Sequence, residues 1–272
     1  MSRQLKESQQ LFLQAFMSRG ILDCRHVKLL YQNVCTRFEE EPDMSRLGNF
    51  VITINSSLKP FGMEIKKGTS EQTGGQFYAL VNLHETNITR MCPTYTPNDL
   101  ELFKKIIEAI VQTDEGCTTT VNVLNIGAEM EKKVSKTHAE EFLHDLEKNK
   151  WITITDGEIS LDTRSLLELD QYMKTQFEDH VVICTMCKRI CLQGQACAQC
   201  DVKLHIHCAA TYFARNANAN ACCPEKRCKA PWIHEIPQPR KRGPDDSPMK
   251  ASQSTESQDS QQRSRTTRKR RA

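Results

Sequence analysis

The sequence lacks the features that mark a membrane protein, an exported protein or several common enzyme classes. No uninterrupted apolar run approaches the about 18–20 residues that a membrane-spanning helix needs, so we expect no membrane partner. The first ten residues lack the apolar core of an export signal, which predicts that the thiols stay reduced. A Walker-type glycine loop, a Gly-x-Ser-x-Gly motif and a His-Glu-x-x-His motif are also missing, which excludes the enzyme classes that depend on them.

The sequence has no net positive charge outside the C-terminal end of the chain. The formal net charge of the 272 residues is +3, but residues 236–272 hold ten Lys and Arg against four Asp and Glu. That segment therefore carries +6, which leaves −3 on the rest of the chain. A mildly acidic body with a basic tail indicates protein partners for the body rather than nucleic acid.

Residues 1–94 show three apolar-periodic helical stretches followed by two strand-like runs. The third helical stretch stops at Pro60, and a glycine-rich turn at 68–75 separates the strand-like runs. Three helices followed by a hairpin is the element order of a winged helix. We therefore predict a winged-helix domain over 1–94.

Residues 95–179 repeat that order. The Thr96-Pro97 pair predicts a helix start, because a capping residue stands before proline at the first helical position. A short apolar piece follows at 121–126. The capping-box pattern at 137–140 predicts the start of the next helix.

A hairpin is the clearest prediction in this second region. The Asp156-Gly157 pair suits a two-residue primed turn between strands over 151–161. A last helix is expected over about 163–177. The predicted fold class is therefore α+β, with tandem winged-helix domains over 1–94 and 95–179.

The C-terminal segment 237–272 has almost no apolar residues, so we predict that it is disordered. It contains two short basic runs that are typical of nuclear import signals: Arg240, Lys241 and Arg242, and Arg268, Lys269, Arg270 and Arg271. It also contains three Ser-Gln pairs, which resemble the sites of DNA-damage kinases but also arise by chance in a Ser- and Gln-rich segment: Ser252-Gln253, Ser257-Gln258 and Ser260-Gln261.

Metal-ligand spacing dominates residues 180–236, which hold nine of the thirteen cysteines. The ligands form four pairs: Cys184-x-x-Cys187, Cys197-x-x-Cys200, His205-x-x-Cys208 and Cys223-x4-Cys228. Eight ligands suffice for two tetrahedral zinc ions, and a segment of this size has too little core to fold without such support. Structural zinc contributes on the order of 10–16 kcal/mol, so this segment should be unfolded without metal.

The spacing also favours a cross-braced arrangement over two consecutive fingers. Only four residues separate Cys200 from His205, which suits two ions tied by one tight core. One ion is assigned Cys184, Cys187, His205 and Cys208. The other is assigned Cys197, Cys200, Cys223 and Cys228.

Cys191, Cys222 and His207 remain outside this ligand set and are interpreted as packing residues, although Cys222 is an alternative to Cys223. With four protein ligands each, both ions would be closed. We therefore expect neither a free thiol nucleophile nor a zinc-bound water, and interpret the segment as a docking platform.

Two kinds of docking module share this ligand order. A histone-reading PHD finger usually has an aromatic residue two positions before the seventh ligand, where this sequence has Ala221. A RING-type ligase instead presents an apolar patch to a ubiquitin-conjugating enzyme. Met186, Pro224 and Trp232 could supply that patch, or could only pack the zinc core.

Direct DNA contact by the second winged helix is expected to be weak or absent, although winged helices often bind DNA through a basic helix. Acidic residues interleave with the basic ones near that helix, which is typical of a solvated face. The basic residues are Lys132, Lys133, Lys136, Lys148 and Lys150, and the acidic ones are Glu129, Glu131, Glu140, Glu141, Asp145 and Glu147.

On these residues the chain resembles the non-SMC element one family. That family supplies the RING-like subunit of the structural-maintenance-of-chromosomes complex that acts in DNA repair. The resemblance covers about 1–237. Its specific part comprises Ile183-Cys184, Gln193-Gly194-Gln195, Leu204-His205, Tyr212-Phe213 and the ending Trp232-Ile-His-Glu-Ile-Pro237.

The resemblance implies a RING-type ubiquitin ligase subunit acting in double-strand break repair by homologous recombination. It implies winged helices that bind a MAGE-type subunit, a kleisin subunit joined to that pair, and a location in the nucleus and on chromosomes, with telomeres as one candidate. Two departures bear on activity: the last pair is Cys223-x4-Cys228 rather than Cys-x-x-Cys, and Lys229 replaces the arginine of strong ligases. A non-catalytic structural adaptor of the same complex is the alternative.

Overall fold

The structure, a computed structural model, describes residues 4–83, 95–216 and 221–238. The predicted import signals, the Ser-Gln pairs and the predicted disorder of the tail lie outside these residues. Within them, the α-helices are α1 (Glu7–Arg19), α2 (Cys24–Arg37), α3 (Leu47–Leu58), α4 (Pro97–Val111), α5 (Thr120–Glu129), α6 (Lys136–Lys148), α7 (Thr163–Glu168), α8 (Asp170–Gln176) and α9 (Ile206–Arg215). The strands are β1 (Ile21–Asp23), β2 (Met63–Thr69), β3 (Gln76–Asn82), β4 (Thr118–Thr119), β5 (Ile152–Thr155), β6 (Glu158–Leu161), β7 (Gln195–Ala196) and β8 (Lys203–Leu204).

The first unit, residues 4–83, contains α1 to α3 and a three-stranded antiparallel sheet in the order β1-β3-β2. The sequence predicts three helices and the β2–β3 hairpin, and the structure adds the short strand β1, which pairs with the first half of β3. The core of this unit is built around Phe12, Phe16 and Ile54, all fully buried.

The second unit, residues 95–179, repeats this order of elements, adds α7 and α8 after its hairpin, and has a sheet in the order β4-β6-β5. The predicted start at Thr96-Pro97 is confirmed, because the Thr96 side chain accepts a hydrogen bond from the Asp99 backbone amide. The predicted hairpin is also present. Asp156 and Gly157 both have positive φ, 52° and 83°, as a primed turn requires.

The apolar piece at 121–126 lies in α5, which supplies the middle helix of the predicted order. Two other predictions about the second unit are wrong in detail. Helix α6 begins at Lys136 and is capped by Ser135 rather than Thr137, since Val134 before the cap and Ala139 after it are both buried in the core and fix the earlier start. The helix expected over 163–177 is divided into α7 and α8 at Leu169, which is fully buried.

The buried carboxylate of Asp99 joins the start of α4 to α6 and yields a testable prediction. It accepts hydrogen bonds from Thr96 and lies 2.7 Å from His138 Nε2. Burial raises the pKa of Asp99, but hydrogen bonds from Thr96 and His138 outweigh burial and hold it below its usual range. Such a carboxyl stabilises the fold above the unfolded pKa of about 3.9, and the contribution disappears as the pH falls through the folded pKa.

We therefore expect Asp99→Asn to lower the free energy of unfolding at pH 7 by about 1–2 kcal/mol. The difference from the wild type should shrink as the pH falls below the unfolded pKa of about 3.9 and through the lowered pKa of the folded Asp99. Urea unfolding at several pH values measures this. An Asp99→Asn variant with an unchanged pH profile would contradict the assignment.

The cysteine-rich unit, residues 180–216 and 221–238, is held against both other units. Ile190 and Leu192 belong to the core of the second unit, and a Cβ at Gly116 of that unit would lie 2.6 Å from Leu192 O. The Arg189 guanidinium donates to Thr69 Oγ1 of the first unit. The loop 189–193 therefore lies where all three units meet. Among the described residues, no helix has both the length and the apolar character to cross a bilayer.

Candidate metal centre

The short hairpin of β7 and β8 separates two groups of metal-ligand side chains. Cys197 and Cys200 lie in the turn that joins the strands, and the Cys197 amide donates to Val202 O across that turn. His205 follows β8 at the other end of the strand, and α9 then carries Cys208. Because an extended strand rises about 3.3 Å per residue, Cys200 and His205 are too far apart to share one ion.

Cluster 1 consists of Cys184, Cys187, His205 and Cys208, whose ligand atoms all lie within 4.8 Å of one another. His205 Nδ1 is 3.3 Å from Cys187 Sγ and 3.8 Å from Cys208 Sγ. Lys188 has a positive φ of 59°, and its amide donates a hydrogen bond to Cys184 O. This tight turn brings Cys184 and Cys187 to the same side of the loop. Hydrogen bonds from the Cys187 and Cys208 thiols hold the pKa of Cys184 well below its usual range, so this cluster favours a thiolate.

Cluster 2 consists of Cys197, Cys200, Cys223 and Cys228, with ligand atoms that again lie within 4.8 Å of one another. The Sγ–Sγ distances are 3.8 Å between Cys197 and Cys228 and 3.6 Å between Cys200 and Cys223. The wider spacing of the last pair is absorbed by a turn, in which the amides of Cys228 and Lys229 donate to Glu225 O. The four-residue gap is therefore compatible with a compact cluster.

The distances in both clusters fit a tetrahedral zinc site. Zinc–sulfur bonds of about 2.3 Å place two sulfur ligands about 3.8 Å apart, whereas a disulfide requires about 2.05 Å. Three thiols with one imidazole, and four thiols, are both common structural zinc sets. Both clusters therefore have the donors and the spacing to hold zinc.

These clusters are the two ligand sets that the cross-braced arrangement predicts. Cys223, and not Cys222, belongs to cluster 2. Cys222 pairs with Pro231 in an isolated β-bridge, and neighbouring side chains in extended backbone point to opposite sides. Among the remaining candidates, Cys191 is fully buried, and the His207 ring stacks on His205 with centroids 4.9 Å apart.

The three predicted docking residues are not equivalent. The Met186 side chain is 45% exposed between two ligands of cluster 1, and Pro224 is half-buried beside Cys223. Trp232 is only 7% exposed, so its prediction as a surface contact is wrong. Its ring packs on Phe213, and its Nε1 donates to the Gln195 side chain on β7. This tryptophan therefore belongs to the core of the cysteine-rich unit.

The structure brings one further residue to cluster 1 that the sequence did not indicate. Glu71, from the turn between β2 and β3, is buried, and its Oε1 lies 3.0 Å from His205 Nε2. A single acidic residue in a glycine-rich turn carries no periodicity or spacing that would reveal such a contact.

Comparisons with known proteins agree with this arrangement. Residues 9–169 match the family described as "Nse1 non-SMC component of SMC5-6 complex", and residues 184–228 match the family described as "RING-like domain". The second match spans cluster 1 and cluster 2 from their first ligand to their last.

Curated relatives resemble the chain over most of its length. A "Non-structural maintenance of chromosomes element 1 homolog" from Xenopus laevis is 38% identical over 238 residues, which is 87% of each chain. The Homo sapiens homologue is 37% identical, over 83% of this chain and 84% of its own. A solved chain titled "Nse1-Nse3-Nse4 complex" superposes with a TM-score of 0.78 at 37% identity, over 86% of this chain and all of that one.

Proposed function

This chain belongs to the Nse1 family of non-SMC components of the SMC5-6 complex, and we propose that it is a RING-type ubiquitin ligase subunit of that complex. In this proposal its cysteine-rich unit binds two zinc ions and docks a ubiquitin-conjugating enzyme. Its two helix-hairpin units act as tandem winged helices that bind partner subunits. The observation that carries the proposal is the exposed Met186 side chain set between two ligands of cluster 1.

Zinc has a structural role in this proposal. Each ion would tie four ligands, and thereby fix the loops around Met186 and Pro224 in one arrangement. Closed clusters of this kind leave the ubiquitin thioester chemistry to the conjugating enzyme. The chain's own contribution is to bind and orient that enzyme.

Met186 and Pro224 are the proposed docking contacts. Trp232 lies beneath them, packs on Phe213 and donates a hydrogen bond to Gln195, which keeps the segment around Trp232 against β7. Lys229 stands where strong RING ligases often have an arginine that stabilises the activated ubiquitin conjugate. We therefore propose that the activity is weak in the isolated chain and depends on a partner subunit.

The proposed partners are the MAGE-type and kleisin subunits, in line with the solved complex of an Nse1 with Nse3 and Nse4. Apolar side chains on the first unit support a protein partner: Phe61 is 72% exposed and Leu29 is 53% exposed. In the second unit the exposed basic residues near α6 alternate with exposed acidic ones, which supports weak or absent direct DNA contact. We further propose that the chain acts in homologous recombination. We also propose that it is located in the nucleus and on chromosomes, and that its basic tail aids nuclear import.

We expect Met186→Asp to slow ubiquitin transfer by on the order of 30-fold, because a charge at the centre of an apolar contact costs about 2 kcal/mol or more. The measurement is the rate at which the partner-bound chain discharges ubiquitin from a thioester-loaded conjugating enzyme. Ile236→Asp is the matched control, since Ile236 is a 40% exposed apolar residue of the same cysteine-rich unit and lies outside both clusters. Equal rates for Met186→Asp and the wild type would remove Met186 from the docking surface.

A further inference from the structure

Glu71 is an acidic side chain of the first unit that is buried against the cysteine-rich unit. It is 5% exposed, and it lies in the turn between β2 and β3. Its Oε1 accepts from the Leu192 amide at 3.0 Å, and its Oε2 accepts from the Gln193 amide at 3.1 Å. Both carboxylate oxygens therefore accept hydrogen bonds from the loop 189–193, which lies where the three units meet.

The same carboxylate faces a ligand of cluster 1. His205 Nε2 lies 3.0 Å from Glu71 Oε1 and 2.8 Å from Ile190 O, and both of these atoms are acceptors. Nε2 must therefore carry the ring proton. The other ring nitrogen, Nδ1, then has its lone pair free and points toward Cys187 and Cys208. Glu71 and Ile190 O together set the tautomer and the ring orientation that a zinc ligand needs.

We infer that Glu71 is a positioning residue for cluster 1, supplied by the first unit rather than by the cysteine-rich unit itself. A buried carboxylate that accepts a hydrogen bond from a ligand histidine makes the other ring nitrogen a stronger electron-pair donor to the metal. It also fixes the orientation of the imidazole ring. Because this carboxylate comes from the partner-binding half of the chain, it couples zinc retention in cluster 1 to the docking of the first unit. The inference rests on the proposed zinc site, and it does not require ligase activity.

A third metal site made of Glu71, Cys191 and His205 is a different interpretation of the same atoms, which lie within 4.8 Å of one another. The hydrogen bonds argue against it. Each carboxylate oxygen of Glu71 already accepts a hydrogen bond from a backbone amide. His205 Nε2 donates a hydrogen bond to the carbonyl oxygen of Ile190. A cation there would displace these donors and require deprotonation of Nε2.

Glu71→Gln separates positioning from simple space filling, because it keeps the shape but replaces one acceptor oxygen with an NH2 donor. Three N–H groups face Glu71: the Leu192 amide, the Gln193 amide and His205 Nε2. In Glu71→Gln at least one of them then faces an NH2 donor instead of an acceptor. We expect the zinc affinity of cluster 1 to fall by about 10–100-fold while cluster 2 keeps its affinity. Glu64→Gln, a half-buried residue of the same hairpin, is the matched control and should behave as wild type.

The test is a competition with a zinc chelator of known affinity on the full chain. Native mass spectrometry counts the ions, and alkylation of the cysteines shows which cluster has lost its metal. Reactivity at Cys184, Cys187 and Cys208 before Cys197 in Glu71→Gln supports the inference. Wild-type affinity at both clusters, or an equal loss at both, overturns it.

Two further outcomes remain decisive. A wild-type chain that retains zinc in cluster 2 alone would refute the proposed zinc site in cluster 1, and the inference with it. If Glu71→Gln does not fold, Glu71→Asp replaces it, because it keeps the charge but shortens the reach by one methylene. Glu71→Asp should then weaken cluster 1 selectively, and wild-type zinc affinity in that variant overturns the inference.

Discussion

Replacing Cys223 with serine is expected to unfold the cysteine-rich unit while both helix-hairpin units stay folded. Structural zinc contributes on the order of 10–16 kcal/mol, and a segment of this size buries too little apolar surface to fold without it. Serine keeps the size of the side chain but supplies no thiolate, so cluster 2 loses one of its four ligands. Removing a ligand outright, unlike a lowered affinity with all four ligands present, leaves the turn of the β7–β8 hairpin without its metal, so unfolding should spread along β8 to His205 of cluster 1.

The neighbouring Cys222 supplies the matched control. Cys222 is half-buried whereas Cys223 is buried, and Cys222 lies outside both clusters, so Cys222→Ser should retain two zinc ions. Zinc stoichiometry and hydrogen exchange along the chain measure both variants. Fast exchange over 180–238 is expected in Cys223→Ser alone. Two zinc ions retained in Cys223→Ser, with loss in Cys222→Ser, would contradict the ligand assignment.

Trp151→Ala is expected to destabilise the second unit by about 3–5 kcal/mol, the cost of removing a large buried aromatic side chain. Trp151 is 2% exposed. Its ring packs edge-on against Phe103 with the ring centroids 5.8 Å apart, and the Arg164 guanidinium carbon lies 4.2 Å from the centroid of the Trp151 ring. Native domains have only about 5–15 kcal/mol of stability in total, so this loss is a large fraction.

Chemical denaturation measures that loss, and Val121→Ala is the control, because exposed substitutions change stability by about 0.5 kcal/mol or less. The zinc count should remain two in Trp151→Ala under native conditions, in contrast to Cys223→Ser. An unfolding free energy within about 1 kcal/mol of the wild type would show that Trp151 is not the centre of this core.

Local signals in the sequence predicted the elements whose chemistry is also local. The Asp156-Gly157 turn and the Thr96 cap depend on neighbouring residues, and the structure contains both. The Ser135 cap was missed because Thr137 fits the same pattern two residues later. Only the burial of Val134 in the tertiary core distinguishes the two.

The ligand sets were predictable because pair spacing and a short strand decide which cysteines can meet. The choice between Cys222 and Cys223 was not, since adjacent positions differ only in the side to which the backbone turns them. Trp232 looked like a surface contact because the sequence does not show that Phe213 and Gln195 enclose it.

Glu71 illustrates what sequence patterns omit altogether. Its partner Leu192 lies 121 residues further along the chain. The contact depends on how the first unit docks on the cysteine-rich unit. No pattern within either segment encodes that docking.

The most direct test of the central claim is a reconstituted ubiquitin transfer assay with the zinc-loaded chain, the MAGE-type partner and a panel of conjugating enzymes. We expect ubiquitin chains with at least one conjugating enzyme, formed faster with the partner than without it, and lost in Cys223→Ser. A zinc-loaded, partner-bound chain that forms no ubiquitin chains with any enzyme of the panel would contradict the ligase proposal and indicate a structural adaptor.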